Sequence, residues 1–362
     1  MRYIKLIYLT LVIILFVIWY LIPRGDYKEP PEVNDSTIVL LSWNAKSFEN
    51  FGYCPSSDCL YTDNRKLFKR ANAILFNDNF YNPLTDGLNV FDRPSTSTIY
   101  INVLSESYVN RNSKIFSFLL KYPKNYFNLT YTYLKGGDIY WSYGADRWVF
   151  NNLVLWKDIN KEILDSIEKK KKKVLWIVSN CEAKTGRAEF VKELSKYIEI
   201  DQFGECNDKP LKLDTYKERK EFFEQYYFYI ASENSDCKYY ITEKFFDRIL
   251  FNSVPLVNAR RIYNENIPPN SFIPFDDFSS PDEMAEYLNY LINNTDEYIK
   301  YFRYRKHGWQ QKEGNDYRCY TCQNIRNFLD SGKKRIIYDI DVWMENNNEC
   351  LVDNYISKLW NI

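Results

Sequence analysis

Apolar residues recur along this chain in three distinct patterns. From Leu6 to Ile22 every residue except Thr10 is apolar or aromatic, and none is charged. As a helix this run rises about 25 Å, enough for the thinner bilayers of the early secretory pathway. Arg2 and Lys5 precede it, and Arg24, Asp26, Lys28 and Glu29 follow. Basic residues on the short amino-terminal side keep that side in the cytosol. A cleaved signal peptide is the rival reading, but it calls for a shorter apolar core and small residues at a cleavage site. This run ends in Trp19-Tyr20-Leu21-Ile22-Pro23 instead. The pattern predicts a cytosolic tail at 1–5, a transmembrane signal anchor at 6–22 and a stem at 23–36 carrying Pro30-Pro31. Everything beyond lies in the lumen.

The second pattern is short apolar runs of strand length. Ile38 to Trp43, Ile99 to Leu104 and Phe127 to Tyr133 read as strands, and Lys114 to Lys121 as a short helix. Later come Val174 to Ser179, Ile200 to Phe203, Tyr227 to Ala231 and Val254 to Val257. The third pattern is the helical stripe. It appears in Phe190, Val191, Leu194, Tyr197 and Ile198, and again in Phe245, Phe246, Ile249 and Leu250. Ser280-Pro281-Asp282-Glu283 reads as an N-cap, a proline at the first helical position and a capping box. The helix it opens carries Met284, Tyr287, Leu288 and Leu291 on one face. Strands alternating with helices predict an α/β chain with parallel sheets covered on both faces.

Between the halves lies Glu168-Lys169-Lys170-Lys171-Lys172-Lys173. A run of this kind reads as solvated, and it marks a boundary between domains at 37–168 and 169–362. A chain of 362 residues is the right length for two such domains. Lys plus Arg equal Asp plus Glu at 48 each, so no global field attracts nucleic acid.

The lumenal assignment changes how the cysteines read. There are 8, an even number, and in an oxidising compartment they are disulfide partners before they are metal ligands. Cys319-Tyr-Thr-Cys322 resembles half a zinc site, but no second such pair exists and the chain has 1 His. Cys54 with Cys59 and Cys319 with Cys322 are the obvious local pairs, and Cys181 and Cys206 flank a predicted βαβ unit. Spacing alone does not decide the connectivity. Glycosylation sequons stand at Asn34, Asn128 and Asn293.

The densest polar cluster runs from Glu233 through Lys244, after a predicted strand and at the start of a predicted helix. Free backbone N–H groups there favour an anion. Asn and Ser supply short hydrogen-bonding groups, Tyr240 a ring and hydroxyl, Glu243 an acceptor for ribose hydroxyls and Lys244 a charge for phosphate. A capped helix with a surface Glu–Lys pair is the competing interpretation.

Three segments within this region make a longer signature. They are Tyr226-Tyr-Phe-Tyr-Ile-Ala-Ser-Glu-Asn-Ser235, Tyr240-Ile-Thr-Glu-Lys-Phe245 and Val254-Pro-Leu-Val257. Together they closely resemble the donor-binding signature of the α1,3-fucosyltransferases, glycosyltransferase family 10. Trp176-Ile-Val-Ser-Asn-Cys181, Arg187, Ser271 to Phe278 and Asn293 to Arg305 extend the resemblance over roughly 174–325, and the amino-terminal half resembles the family more loosely. It implies a GT-B architecture, two Rossmann-like domains facing a cleft, with GDP-fucose held mainly by the second. It further implies Arg187 and Lys244 at the diphosphate, Glu243 at the ribose, and Asn234 and Tyr240 at the phosphate or sugar. Arg and Lys would stabilise the charge that builds on departing GDP, leaving no obligatory role for a metal. Asp339-Ile-Asp341 matches the triplet of metal-dependent transferases but lies outside the recognisable donor segment.

Inverting transfer needs a base for the acceptor hydroxyl. Ser105-Glu106-Ser107 resembles the family's acceptor-side motif, and Glu106 is the implied base. The implied acceptor is the 3-hydroxyl of N-acetylglucosamine in N-glycans or lactosamine-type chains, and the implied location the Golgi membrane. The chain departs from the family pattern at Leu134-Lys135-Gly136-Gly137, where an Arg-containing stretch is usual, and at Tyr239 and Ser253. A different acceptor and a catalytically silent sugar-nucleotide-binding module are the alternatives these departures leave open.

Overall fold

The computed structural model describes residues 33–44, 51–77, 93–112, 122–144, 148–150, 159–263, 267–306, 309–311 and 316–362. The apolar run 6–22 and the helix predicted at 114–121 lie outside these. Among the described residues no helix is long and apolar enough to cross a membrane. Met1–Thr37 forms one compact unit and Ile38–Ile362 the other. In the first, the Asn34 side-chain oxygen accepts the N–H groups of Ser36 and Thr37, each at 3.0 Å, closing a turn.

The larger unit contains two sheets of the α/β kind. In the first, β1 (Ile38–Ser42), β2 (Gly52–Cys54), β3 (Cys59–Thr62), β4 (Ala73–Asn77), β5 (Ile99–Leu104), β6 (Leu129–Thr132) and β7 (Ile139–Tyr140) lie in the order β2-β3-β1-β4-β5-β6-β7. All pair in parallel except β2 with β3. Strands β1, β4 and β5 are buried along their whole length, the mark of a sheet covered on both faces. β8 (Trp148–Phe150) pairs antiparallel with the distant β14 (Trp309–Gln311).

The second sheet comprises β9 (Lys172–Ile177), β10 (Ile200–Phe203), β11 (Tyr226–Ile230), β12 (Val254–Val257) and β13 (Ile273–Pro274), all parallel, in the order β10-β9-β11-β12-β13. Helix α1 (Tyr108–Asn112) follows β5 and α2 (Ile159–Ile167) precedes β9. Then come α3 (Arg187–Leu194), α4 (Tyr216–Phe223), α5 (Glu243–Phe246), α6 (Pro281–Asn293), α7 (Tyr317–Asp330), α8 (Ile340–Asn347) and α9 (Tyr355–Leu359). One face of the sheet packs Val174, Phe228 and Leu256 against Phe190 and Leu194 of α3, Leu288 of α6 and Ile356 of α9. The other buries Leu175, Tyr229 and Val257 with Phe223, Phe245 and Phe246.

Several expectations change here. The lysine run is not solvated throughout. Lys172 and Lys173 already belong to β9, and Lys170 is buried, its ammonium donating to the carbonyls of Glu224, Tyr226 and Asn252. Three acceptors match its three protons, so one side chain ties three chain segments together. Burial pushes this ammonium down to about 7, against the pull of the Glu224 carboxylate. The helix after Phe190 ends at Leu194 and Tyr197 is exposed, but Ile198 is buried in the same cluster as Phe190, Val191 and Leu194. The box at α6 is only half formed. Ser280 Oγ accepts from Glu283 N at 3.3 Å, but the Glu283 carboxylate turns to Ser279, one residue earlier.

The local disulfides at 54/59 and 319/322 do not form. Cys54 bonds Cys319, and Cys59 bonds Cys322; Cys181–Cys206 and Cys237–Cys350 complete the set. Cys319 and Cys322 lie three apart on α7, where Cβ atoms stay about 5–6 Å apart, too far to bridge to each other. They share a face, however, and that face meets the β2–β3 hairpin in which Cys54 and Cys59 are paired. Helix α7 therefore returns to the first sheet although it follows the second in sequence. Its first crosslink removes about 5 kcal/mol of chain entropy, and the second then closes only a short loop and adds less.

Digestion before Asp58 and after Tyr320, without reduction, tests this pairing by mass spectrometry. Cross-linked 54/319 and 59/322 peptides are the expected products, and 54/59 or 319/322 products would contradict them.

Candidate active site at the facing strand ends

Parallel sheets bind ligands beyond the carboxyl ends of their strands, where strand order reverses. In the second sheet the reversal falls between β9 and β11, so the loops at 178–186 and 231–242 diverge there. Gly186 caps α3 in a left-handed conformation (φ 67°), and a Cβ there would come within 2.4 Å of Asn354 Oδ1. The next residue, Arg187, is turned inward and is 3% exposed. Its Nη1 donates to Ser232 O at 2.7 Å and its Nη2 to Asn180 O at 2.8 Å, clamping the two loops together. Nε is buried without a partner among the described residues, and burial pulls the guanidinium below its ordinary value.

Helix α5 is a single turn, so the charge at this site comes from side chains rather than from a helix dipole. Glu233 is 2% exposed and accepts Thr242 N at 2.7 Å, the Thr242 hydroxyl and Lys244 Nζ at 3.1 Å. Burial raises its carboxyl above the ordinary range despite Lys244. Burial works against the Lys244 ammonium as well, but Glu233 and then Glu243 outweigh it and hold it above its usual value. Glu243 reaches the same ammonium from the open side at 3.4 Å, its side chain 49% exposed. Asn234 Oδ1 is buried and unpartnered among the described residues.

Glu106 follows β5 on the first sheet and faces this cluster. Its Oε1 accepts Ser107 N at 3.0 Å, Asn110 Nδ2 at 2.9 Å and the Tyr240 hydroxyl from the other sheet. Among the described residues none bonds Oε2. Ser235 bonds Ser107 Oγ at 2.8 Å and Asn110 Oδ1 at 2.9 Å, a second link between the sheets. Tyr240 is 1% exposed, packed against Tyr133 and Tyr143, and burial followed by the Glu106 charge holds its phenol well above the ordinary value. It stays a donor.

The structure thus brings Glu106 and Tyr240 into contact, and gathers Arg187, Asn234, Glu243 and Lys244 around the loops after β9 and β11. Glu233 and Ser235 fall within the polar cluster and Ser107 within the Ser105-Glu106-Ser107 motif, but the chain alone assigns Glu233 and Ser107 no role of their own, and Asn110 is not among its candidates. Asn110 stands one helical turn after Glu106, the spacing that points to it. Asp339 caps α8, accepting the N–H groups of Asp341 and Val342, and among the described residues no group of three His, Cys, Asp or Glu could hold a metal ion. The Asn128 amide lies within the first sheet, bonded to Tyr100 N and Arg335 O, whereas Asn293 is exposed.

Comparison with known proteins decides the family. The model of the glycosyltransferase family 10 (fucosyltransferase) C-terminal part matches residues 167–343, and that of the fucosyltransferase N-terminal part matches 34–144. The chain is 32% identical to the mouse 4-galactosyl-N-acetylglucosaminide 3-α-L-fucosyltransferase 9, over 75% of this chain and 72% of that protein. The chain belongs to glycosyltransferase family 10. A Caenorhabditis elegans α-(1,3)-fucosyltransferase, fut-5, is 33% identical over 75% of this chain and 71% of its own length. Glycoprotein 3-α-L-fucosyltransferase A of Drosophila melanogaster is 33% identical over 85% of this chain, which spans 59% of that protein's length. A crystal structure of an α1,3-fucosyltransferase aligns over 84% of this chain and 91% of its own, with 18% identity and a TM-score of 0.49.

In this family member Glu233 carries a stability test. Lys244→Met leaves its carboxylate buried and unpaired, and unfolding in urea should show a loss of about 3–5 kcal/mol. Adding Glu233→Gln should recover part of that loss; no recovery would show that the two charges do not depend on each other.

Proposed function

We propose that this chain is an inverting α1,3-fucosyltransferase of the Golgi membrane. It transfers fucose from GDP-fucose to the 3-hydroxyl of N-acetylglucosamine in N-glycans or lactosamine-type glycans. The arrangement is of the GT-B type, with residues 37–168 on the acceptor side and 169–362 on the donor side, apart from α7, which packs on the first sheet. Residues 6–22 anchor it, with the catalytic part in the lumen. The relatives support both acceptor classes, since one is named for glycoproteins and another for galactosyl-N-acetylglucosamine.

The observation that carries this reading is the half-engaged carboxylate of Glu106. Three donors fix Oε1, and Oε2 is left for an incoming hydroxyl. In the reaction the acceptor oxygen attacks the anomeric carbon of fucose while Oε2 takes its proton. The bond to GDP breaks on the opposite side, and its electron pair leaves on the β-phosphate. Arg187 and Lys244 oppose the charge that develops there, and the transfer step needs no metal ion. Glu243 is the exposed partner of Lys244, so ribose hydroxyls can draw it away while Glu233 keeps the ammonium in place.

The test uses the purified full chain in detergent, GDP-fucose and a panel of lactosamine and N-glycan-core acceptors, with and without EDTA. EDTA-resistant transfer to a GlcNAc 3-hydroxyl is expected. Glu106→Gln should lower kcat about 10²–10⁴-fold with GDP binding kept, and Lys244→Ala should weaken GDP binding. Intact GDP binding without transfer to any acceptor would overturn the transferase assignment.

A further inference from the structure

Within the donor loop lies a buried carboxyl group with no part in the transfer step. Asp236 is 7% exposed and follows β11; Asn258 is 1% exposed and follows β12. Asn258 Nδ2 donates to Asp236 Oδ1 at 2.8 Å. The other two oxygens of the pair, Asp236 Oδ2 and Asn258 Oδ1, are both buried with no partner among the described residues. Two orphaned acceptors on side chains already joined by one hydrogen bond are each costly to bury, and one hydrogen between them satisfies both. A carboxylic acid and a primary amide offer that complementarity, donating one bond each way.

We propose that Asp236 holds its proton up to near-neutral pH and donates it from Oδ2 to Asn258 Oδ1, making a two-bond acid–amide clasp that positions the donor loop. The surrounding groups favour the neutral acid. Glu233 lies on the same loop and Asp276 beyond β13, both carboxylates; Arg261, after β12, is the opposing charge. Burial pushes the Asp236 carboxyl up to about 7, outweighing the Asn258 Nδ2 hydrogen bond, which by itself favours the carboxylate. The clasp also has leverage. Asp236 O accepts Leu351 N at 2.8 Å, Cys237 is bonded to Cys350, and Ser235 joins the loop to Ser107 and Asn110. Opening the pair therefore loosens the loop that carries Asn234 and Tyr240, making Asp236 a positioning residue.

The linkage has a definite sign. A carboxyl whose folded value is raised adds stability at acid pH, and that stability is lost as pH rises from about 4 through about 7. Asp236→Asn is nearly isosteric and supplies the second hydrogen as an amide proton, so it makes both bonds without titrating. The first readout is thermal unfolding of the full chain and this variant from about pH 4 to about pH 8. Wild type should match the variant at the acid end and melt several degrees below it at the alkaline end; parallel curves overturn the clasp. The second readout is the ¹³C-carboxyl resonance that Asp236→Asn removes. It should titrate near neutrality, and titration in the ordinary carboxylate range overturns the proposal even if the variant folds poorly.

The positioning role rests on the GDP-fucose reading and has its own measurement. Between the same pH limits the ratio of wild-type to variant Kd for GDP should rise roughly threefold or more. Taking this ratio cancels the ionisation of GDP itself. A flat ratio with the other two results intact removes the positioning role. Absent fucose transfer with all three intact counts against the transferase reading alone.

Discussion

The structure depends on a small polar contact between the carboxyl ends of its two sheets. Glu106, Ser107 and Asn110 on one side meet Ser235 and Tyr240 on the other, through hydrogen bonds that are partly or wholly buried. Bonds of this kind are worth little net, but each group is expensive to leave unpaired. The sheets are thus held less by the strength of the contact than by the cost of breaking it incompletely. The same contact engages one oxygen of Glu106 and, among the described residues, leaves the other without a hydrogen bond, so the contact that joins the sheets also orients the candidate base.

Behind that contact the second sheet buries an unusual amount of charge. Arg187 is held by two carbonyls rather than by a carboxylate, which leaves its charge unneutralised by any direct ion pair. Lys244 is paired twice, by buried Glu233 and by exposed Glu243. Charges in this state contribute little to stability. The proposed anionic donor would complete Arg187 and replace the outer partner of Lys244. Lys170, at the opposite ends of the strands, shows the contrast: its ammonium is saturated by three carbonyls and has nothing left to offer a ligand.

Much of this was legible in the chain. Strands β11 and β12 are apolar throughout, and β1 and β9 each hold a run of four apolar residues, because the sheets are covered on both faces; such runs stand out at once. The donor segment was legible because Arg187, Glu243 and Lys244 lie close in sequence to the loops they serve. Contacts between distant segments were not. Periodicity does not reveal that α7 returns to the first sheet, so the crossed disulfides replaced the local ones suggested by spacing. A burst of lysines looks solvated until three carbonyls converge on one of them, and Glu283 chose Ser279 over Ser280 for reasons of local geometry. The Tyr240–Glu106 bond joins residues far apart in sequence, and the Asp236–Asn258 pair spans two strands; neither leaves a mark in either local segment.

The most direct measurement of the central claim is a double-mutant cycle between Glu106→Gln and Tyr240→Phe, read as single-turnover fucose transfer. If the phenol orients the carboxylate across the gap between the sheets, the two losses are not additive, and the coupling energy is about 1–3 kcal/mol. Losses that add to within about 0.5 kcal/mol would mean that the two residues act independently, and would contradict the account of a site assembled by that contact.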